Sequence, residues 1–298
     1  MATTSLYTLR SRNVLRTWVL MGSFLIGVIA IGFLASQYFG DSSILYVAVG
    51  FSLITNVFAY WFSDKVALAS AGATPADEAE YRELHRIIEN LAITAGLPKP
   101  RVYIIHDPAP NAFATGRDPK HAAVAVTTGL LGMMDRSELE GVLAHELSHV
   151  GNRDILVMTV AVVLVGFISV IADMFMRMSM FGGGDNRDRG PIVIIAAVFA
   201  MILAPIAAQL IQLAISRRRE FLADASGALL TRYPEGLASA LVKIGSYAAP
   251  MERASSATAH LFISNPFGAH RAGKFEAGLF ATHPPLENRI AALRGMRV

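Results

Sequence analysis

The chain has 298 residues, a formal net charge of only +3 and no cysteine. Its hydrophobic share of 53% and charged share of 16% depart from those of soluble proteins in the apolar direction. The lack of cysteine excludes disulfides, thiolate metal sites and cysteine nucleophiles, so a transition-metal site must use histidine and carboxylate ligands. The small net charge gives no indication of a nucleic-acid partner. A membrane-embedded chain is expected, and a very large soluble core is the alternative.

Four long stretches without charged residues predict membrane spans. They cover residues 17–40, 42–63, 155–172 and 190–216. A helix needs about 20 mostly apolar residues to cross the hydrocarbon region, and the first, second and fourth stretches have that length. The third is shorter, but the apolar run resumes after Asp173. A signal peptide remains an alternative for the first stretch, and buried helices remain an alternative for all four.

Arginine residues near the ends of these stretches predict their orientation. Three arginines precede the first span and three follow the fourth, whereas the turn at Gly40–Ser43 has no basic residue. The second turn, near Gly182–Asp185, lies among arginines that aspartates partly balance, which weakens the signal. The pattern favours a cytoplasmic location for both chain ends and for residues 64–154.

The segment 64–154 has the pattern of a soluble domain. Residues 77–95 carry apolar side chains at helical spacing. Two strands, with a loop or edge strand between them, are predicted over residues 101–106, 122–127 and 111–116. Residues 137–152 are predicted to form a helix with Ser137 as its N-cap.

This last helix carries the motif His145-Glu146-Leu147-Ser148-His149. Its two histidines are four residues apart, which places both imidazoles on one face, where a single tetrahedral ion can accept both. Glu146 can act as a general base on a metal-bound water, whose pKa the ion lowers while it polarises the carbonyl under attack. A polar surface helix is the structural alternative.

Two histidines make an incomplete zinc site, so a third protein ligand is required. The metzincin continuation fails, because Asn152 and Ile155 stand where a glycine and a third histidine would be. A carboxylate some twenty-odd residues further on would be Asp173, at the far side of the membrane. Glu220 is the first acid after the fourth span. Two predicted spans separate it from the motif, so both lie on the same side of the membrane, and we predict Glu220 as the third ligand. Asp224, one helical turn later, is predicted to accept a hydrogen bond from a ligand imidazole.

With these motifs the chain resembles the HtpX family of membrane zinc metalloproteases, relatives of the CAAX prenyl proteases, over essentially its whole length. The matching segments are Asn111–Gly116, His145–Asp154, Ser216–Asp224, Thr282–Pro285 and Arg289–Leu293. The resemblance implies a mainly α fold with a small β-sheet, in a multi-pass membrane protein with a gluzincin-like zinc metalloprotease domain. It implies one Zn2+ per subunit and a site that faces the cytoplasm from the bacterial inner membrane. The implied activity is endoproteolysis of misfolded or damaged membrane proteins in envelope stress.

The resemblance also implies roles for residues outside the metal motif. An edge strand that pairs with an extended substrate is implied for Asn111, Ala112, Phe113 and Ala114, although an ordinary loop is the alternative. His283 looks like a histidine that donates to the oxyanion, or it is only a helix-start residue beside Pro284. Expected partners are membrane-protein or unfolded polypeptide substrates and the lipid bilayer, without nucleic acid. Further copies of the chain, or other membrane quality-control proteases, are additional candidates.

The predicted organisation has four parts: an N-terminal hairpin at 1–63, a first catalytic part at 64–154, a second hairpin at 155–216 and a second catalytic part at 217–298. Two other functions remain open. A membrane adaptor with structural zinc would need a fourth protein ligand and no general base, whereas the sequence offers three ligands and Glu146. Processing of prenylated C-termini would, by the resemblance, go with seven spans around a chamber, and this chain has four at most.

Overall fold

The structure is a computed structural model that describes residues 6–181, 217–253, 258–268 and 284–297. The predicted fourth span, the glycine-rich turn before it and His283 lie outside the described residues. The described part is mainly helical, with one small mixed sheet.

Two long apolar helices form an N-terminal hairpin. Helix α1 covers Leu6–Phe39 and helix α2 covers Ser43–Ser70, and they pack against each other after a short turn. Within the described ranges, these are the two helices long and apolar enough to cross a membrane, with mean hydropathies of 2.3 and 1.6. Large apolar side chains on their outer faces are exposed, as expected for lipid contact; Ile26, Tyr46 and Ile54 are examples.

A third apolar helix, α6, packs on this hairpin. It covers Asp154–Phe181 and follows helix α5, which covers Arg136–Gly151, after a bend of 83°. Counted together, this bent pair would be a third candidate span among the described residues. The two helices have different surroundings, because α6 packs on α1 and α2, whereas α5 packs on the sheet and on other helices.

The sheet has four strands in the order β1-β2-β4-β3. They cover Thr74–Pro75, Arg101–Ile105, Ala112–Thr115 and Ala123–Thr127 for β1 to β4. The central pair, β2 and β4, is parallel, and the two outer strands are antiparallel to their neighbours. All five residues of β4 are buried, because the strand is covered on both faces. In this strand order, β1 and β3 form the two edges of the sheet.

The remaining α-helices of the described ranges pack around α5 and the sheet, directly or through one another. They are α3 (Arg82–Ala95), α4 (Thr128–Met133), α7 (Arg217–Thr231), α8 (Pro234–Ser246) and α9 (Leu286–Arg294). Helix α5 packs against α3, α7, α8 and β3, and α9 packs against α7 and α8. Two glycines allow the close approach. A Cβ on Gly141 would lie 2.6 Å from the Leu237 backbone nitrogen, and one on Gly227 would lie 2.9 Å from that of His145.

Two helix starts differ from the prediction. Helix α5 begins at Arg136 and is capped by Asp135, so the predicted Ser137 cap is wrong. The Asp135 carboxylate accepts the Glu138 backbone N–H while the Glu138 carboxylate accepts that of Asp135, and this reciprocal pair satisfies two free donors. Helix α3 begins only at Arg82, and the preceding residues form turns. The four-part organisation remains a prediction.

Candidate metal centre

Helices α5 and α7 bring three metal-ligand side chains together. His145 and His149 lie one turn apart on α5, and Glu220 lies in the first turn of α7. All three are buried, and one ligand atom from each lies within 4.8 Å of the others. The packing of α7 on α5 thus brings together ligands that lie far apart in sequence. The lack of a side chain at Gly227 permits this close packing.

The distances in this cluster suit a tetrahedral ion. The two Nε2 atoms of His145 and His149 are 3.2 Å apart. Glu220 oxygens lie 3.8 Å from the first Nε2 and 3.6 Å from the second. Ligands about 2.1 Å from a tetrahedral zinc ion are separated by about 3.4 Å. The ligand atoms therefore lie close to the separation that one tetrahedral ion requires, with a different Glu220 oxygen nearer to each histidine.

Each histidine is held at its other ring nitrogen by a buried carboxylate. Nδ1 of His145 lies 2.9 Å from Asp224, and Nδ1 of His149 lies 3.2 Å from Asp154. Such partners orient the ring so that Nε2 faces the metal. Burial lowers the pKa of His145 to about 4, although Asp224 opposes this shift. Burial also acts on His149, but Asp154 and Glu220 outweigh it and raise the pKa of His149 to about 9.

Arg289 of α9 is fully buried and lies next to Asp224 and Glu220. It makes a bidentate pair with Asp224, with distances of 2.8 Å from Nε and 2.7 Å from Nη2. Its Nη1 also lies 3.8 Å from Glu220. Burial would raise the pKa of Asp224, but the Arg289 charge and the His145 hydrogen bond outweigh it and lower that pKa to about 2. Asp224 is therefore a carboxylate that can accept the imidazole N–H.

The described charges around the cluster are unbalanced in favour of a cation. Carboxylates come from Glu146, Asp154, Glu220 and Asp224, and guanidinium groups come from Arg219 and Arg289, all buried. With the four acids ionised and both imidazoles neutral, the protonation state that metal binding requires, the acids exceed the guanidinium groups by two charges. Buried charges persist only when they are compensated, and a divalent ion at the ligand atoms would compensate this excess. The residues present thus fit a divalent metal.

Glu146 lies beside the ligands and is itself only 2% exposed. Burial raises its pKa to about 8, although the nearby His149 opposes the shift. Its carboxylate accepts a hydrogen bond from the backbone N–H of Ala114 in the edge strand β3. The acid is therefore placed between the ligand cluster and the strand predicted to contact substrate.

The four residues predicted to bind substrate have different surroundings. Ala112 and Ala114 present their backbone groups on the side of β3 that faces away from β4. The Ala112 carbonyl accepts the Ile263 N–H at 3.0 Å, and the Asn111 side chain bonds to the Ser264 backbone. Phe113 is buried and meets the Phe262 ring edge-on. The backbone N–H of Ala114 bonds to Glu146, and the substrate role of all four stays a prediction.

The sequence interpretation missed two residues of the site, Asp154 and Arg289. Asp154 lies in a segment that matches the family but has no predicted role, and its burial at the start of α6 makes it a partner of His149. Arg289 has a signal in the sequence, because its spacing from Leu286 and Leu293 places it on the apolar face of α9. A charge on such a face requires a buried partner.

A buried cluster of two histidines and a glutamate, with an adjacent glutamate and two membrane-length helices, defines a membrane-bound metalloprotease. Comparison with known proteins agrees. Residues 78–297 match the model of Peptidase family M48, and the chain belongs to this family.

Full-length relatives show the same. Proteins described as protease HtpX homologs are 52% identical in Thermoanaerobacter pseudethanolicus and 49% identical in Caldanaerobacter subterraneus subsp. tengcongensis, each over 99% of both chains. The corresponding protein of Pyrococcus furiosus is 50% identical over 94% of both chains. The resemblance to HtpX proteases is confirmed.

A solved structure shares the fold. The crystal structure of S. mikatae Ste24p superposes with a TM-score of 0.52 at 21% identity. The match covers 98% of this chain and 67% of that one. The two chains therefore share a fold at low sequence identity.

Proposed function

We propose that the chain is a zinc endopeptidase of the bacterial inner membrane that hydrolyses peptide bonds of misfolded or damaged membrane proteins. The observation that carries the proposal is the convergence of His145, His149 and Glu220 beside Glu146, an acid that is not part of the ligand cluster. Three protein ligands leave a fourth position for water or substrate, as in catalytic zinc sites. A structural zinc site in an adaptor would close that position with a fourth protein ligand.

The residues divide the chemistry as follows. When bound, a divalent ion supplies Lewis-acid chemistry that polarises a carbonyl and lowers the pKa of water. Glu146 holds the proton lost by the attacking water on its carboxylate and returns it to the departing amine. Asp224 and Asp154 fix the orientation of the two imidazoles. His283 is proposed to donate a hydrogen bond to the oxyanion.

The extended substrate is proposed to pair with the edge strand β3 through main-chain hydrogen bonds, which suit substrates of varied sequence. Ala114 is the residue of this strand that contacts Glu146, so the bond to be cleaved would lie near it. The Asn111 end is already paired with Ile263 and Ser264, which favours Ala114 as the point of substrate contact.

The proposed site faces the cytoplasm. The beginning of the apolar part of α1 and the beginning of α6 are in contact, because Asn13 is hydrogen-bonded to Asp154. The end of α2 leads directly into the segment that carries the sheet. These three helix ends and the ligand cluster would therefore lie on one side of the bilayer, the side that the arginine pattern assigns to the cytoplasm.

The substitution Glu146→Gln tests this function. The variant should keep its zinc, because Glu146 is not a ligand, while cleavage of an unfolded model protein should fall by about 100-fold or more. Glu140→Gln is the matched control, since Glu140 is an acid of the same helix that pairs with Arg136 at the surface. Undiminished turnover by pure Glu146→Gln protein would contradict the assignment of the general base.

A further inference from the structure

A side chain of the first membrane helix reaches the metal centre. Asn13, at the start of the apolar part of α1, is 4% exposed. Its Nδ2 donates to the Asn152 carbonyl at 3.1 Å and to Asp154 Oδ1 at 2.5 Å. A buried amide that makes two bonds to a distant segment holds that segment in place, because loss of the donor leaves buried acceptors unsatisfied.

Asp154 transmits this contact to a metal ligand. Its side chain is almost fully buried, and its two oxygens face different partners. Oδ1 accepts from Asn13 and lies 3.8 Å from Arg219 Nε, whereas Oδ2 lies 3.2 Å from Nδ1 of His149. A carboxylate fixed at one oxygen can rotate little at the other. The position of Asn13 therefore limits the orientation of the His149 ring.

Asn13 binds at the bend between α5 and α6. The helices meet at 83°, and Arg153 within the bend has a φ of 61°, a left-handed conformation that costs a non-glycine residue free energy. Asn13 binds the residues on both sides of Arg153, namely Asn152 and Asp154. The amide thus holds the bend that brings Asp154 back beneath His149.

We propose that Asn13 is a positioning residue for the metal, and that it makes the N-terminal membrane hairpin part of the metal site. The inference rests on the proposed function only in that His145, His149 and Glu220 bind the ion. It goes beyond a membrane anchor for α1, because separation of α1 from the bend would loosen one ligand. Full metal affinity then requires a correctly packed hairpin.

The test is the affinity of the full-length protein for Zn2+ in detergent, measured by chelator competition. All variants carry Glu146→Gln, which prevents self-cleavage. Asn13→Leu removes the donor at nearly constant volume, and it should weaken Zn2+ binding by roughly tenfold, the lower end for loss of a partner outside the ligand shell. The visible spectrum of the Co2+ form should also change, because it reports ligand geometry.

A matched control separates positioning from general stability. Asn56 is another buried amide of the hairpin, and its Nδ2 bonds to Ser52 of its own helix. Asn56→Leu should leave both Zn2+ affinity and the Co2+ spectrum unchanged. A merely structural role for Asn13 would lower the melting temperature of the metal-free protein without a selective loss of Zn2+ affinity.

A double substitution tests the route through Asp154. In an Asp154→Ala background, Asn13→Leu should have no further effect on Zn2+ affinity, because the transmitting carboxylate is gone. Asp154→Asn serves as the background if the alanine variant does not fold, and the Asn13 effect should then be reduced. Wild-type affinity in Asn13→Leu, or an undiminished loss in the double variant, overturns the inference. A parent protein that binds no Zn2+ would instead contradict the proposed function.

Discussion

Arg289 is a fully buried charge of the site, and its partner Asp224 binds Nδ1 of His145. The pair is bidentate, which fixes the carboxylate in two directions and thereby fixes the imidazole. The guanidinium also lies near Glu220. One cation therefore stabilises both the predicted ligand Glu220 and Asp224, which holds the ligand His145. Its role is thus to position acids around the ion.

Removal of this cation should be costly. Arg289→Met leaves Asp224 as a buried, unpaired charge, and we expect the free energy of unfolding to fall by about 3–5 kcal/mol. Denaturant titration of the detergent-solubilised protein measures the change. Arg294→Met is the control on the same helix, because Arg294 pairs with Glu235 at the surface and should contribute less than about 1 kcal/mol. Equal losses in both variants would contradict a special role for Arg289.

Among the single residues of the site, the sequence predicts those whose chemistry follows from local spacing. The two histidines and Glu146 lie within one helical turn, and Glu220 follows from chain direction across two apolar stretches. The structure brings these four together. The partners of Asp154 and Arg289 do not follow from the sequence, because they depend on an 83° bend and on the packing of the last helix. Spacing along the chain does not report such packing.

Among the elements, the pairing of α5 with α7 decides whether the ligand set is complete. Gly227 of α7 lies against the α5 backbone at Ala144 and His145. No side chain separates the two helices there, so Glu220 and Asp224 can both reach His145. The close crossing of α5 and α7 at Gly227 therefore places Glu220 near the two histidine ligands.

A methyl group at this crossing should disturb the site without changing any ligand. In Gly227→Ala the new Cβ would lie 2.9 Å from the His145 nitrogen, and backbone cannot move aside easily. We expect a loss of about 1–3 kcal/mol in the free energy of unfolding, together with weaker Zn2+ binding. Gly132→Ala, where a Cβ meets nothing within 4 Å, is the control. Unchanged stability and Zn2+ affinity in Gly227→Ala would show that the helices can separate freely.

The element boundaries show where local patterns suffice. Strands β2 and β4 fall within one residue of their predicted limits, because their β-branched residues form a buried pair. The predicted start of α5 is wrong, since Asp135 and Ser137 are both good caps and the choice depends on the Glu138 side chain. Strand β1, with only two residues, carries no periodic signal and depends on its pairing with β2.

At the scale of the whole molecule, the catalytic part and the membrane hairpin share buried contacts. The α2 residues Ala67 and Leu68 pack with Phe113 of the edge strand and Phe262, so a continuous apolar cluster joins the hairpin to the sheet. Composition could predict the hairpin, because charge-free length is a one-dimensional signal. It could not predict this joint cluster, whose residues lie far apart in sequence.

The chain is suited to a direct test of its orientation, because it has no cysteine. We expect Ser42→Cys, in the α1–α2 turn, to react with a membrane-impermeant maleimide from the periplasmic side of intact cells. Glu89→Cys, on the exposed face of α3, should react only after lysis. Reaction of Glu89→Cys in intact cells, with protection of Ser42→Cys, would contradict the proposed cytoplasmic site.

The zinc content of purified Glu220→Ala protein tests the central claim most directly. The account predicts one Zn2+ per chain in the parent protein and almost none in the variant, because two histidines alone do not hold the ion. Glu140→Ala, in which a partly exposed acid of α5 is replaced, should keep the parent content. A Glu220→Ala protein that retains one Zn2+ per chain would contradict the account, because the ion would then be held elsewhere.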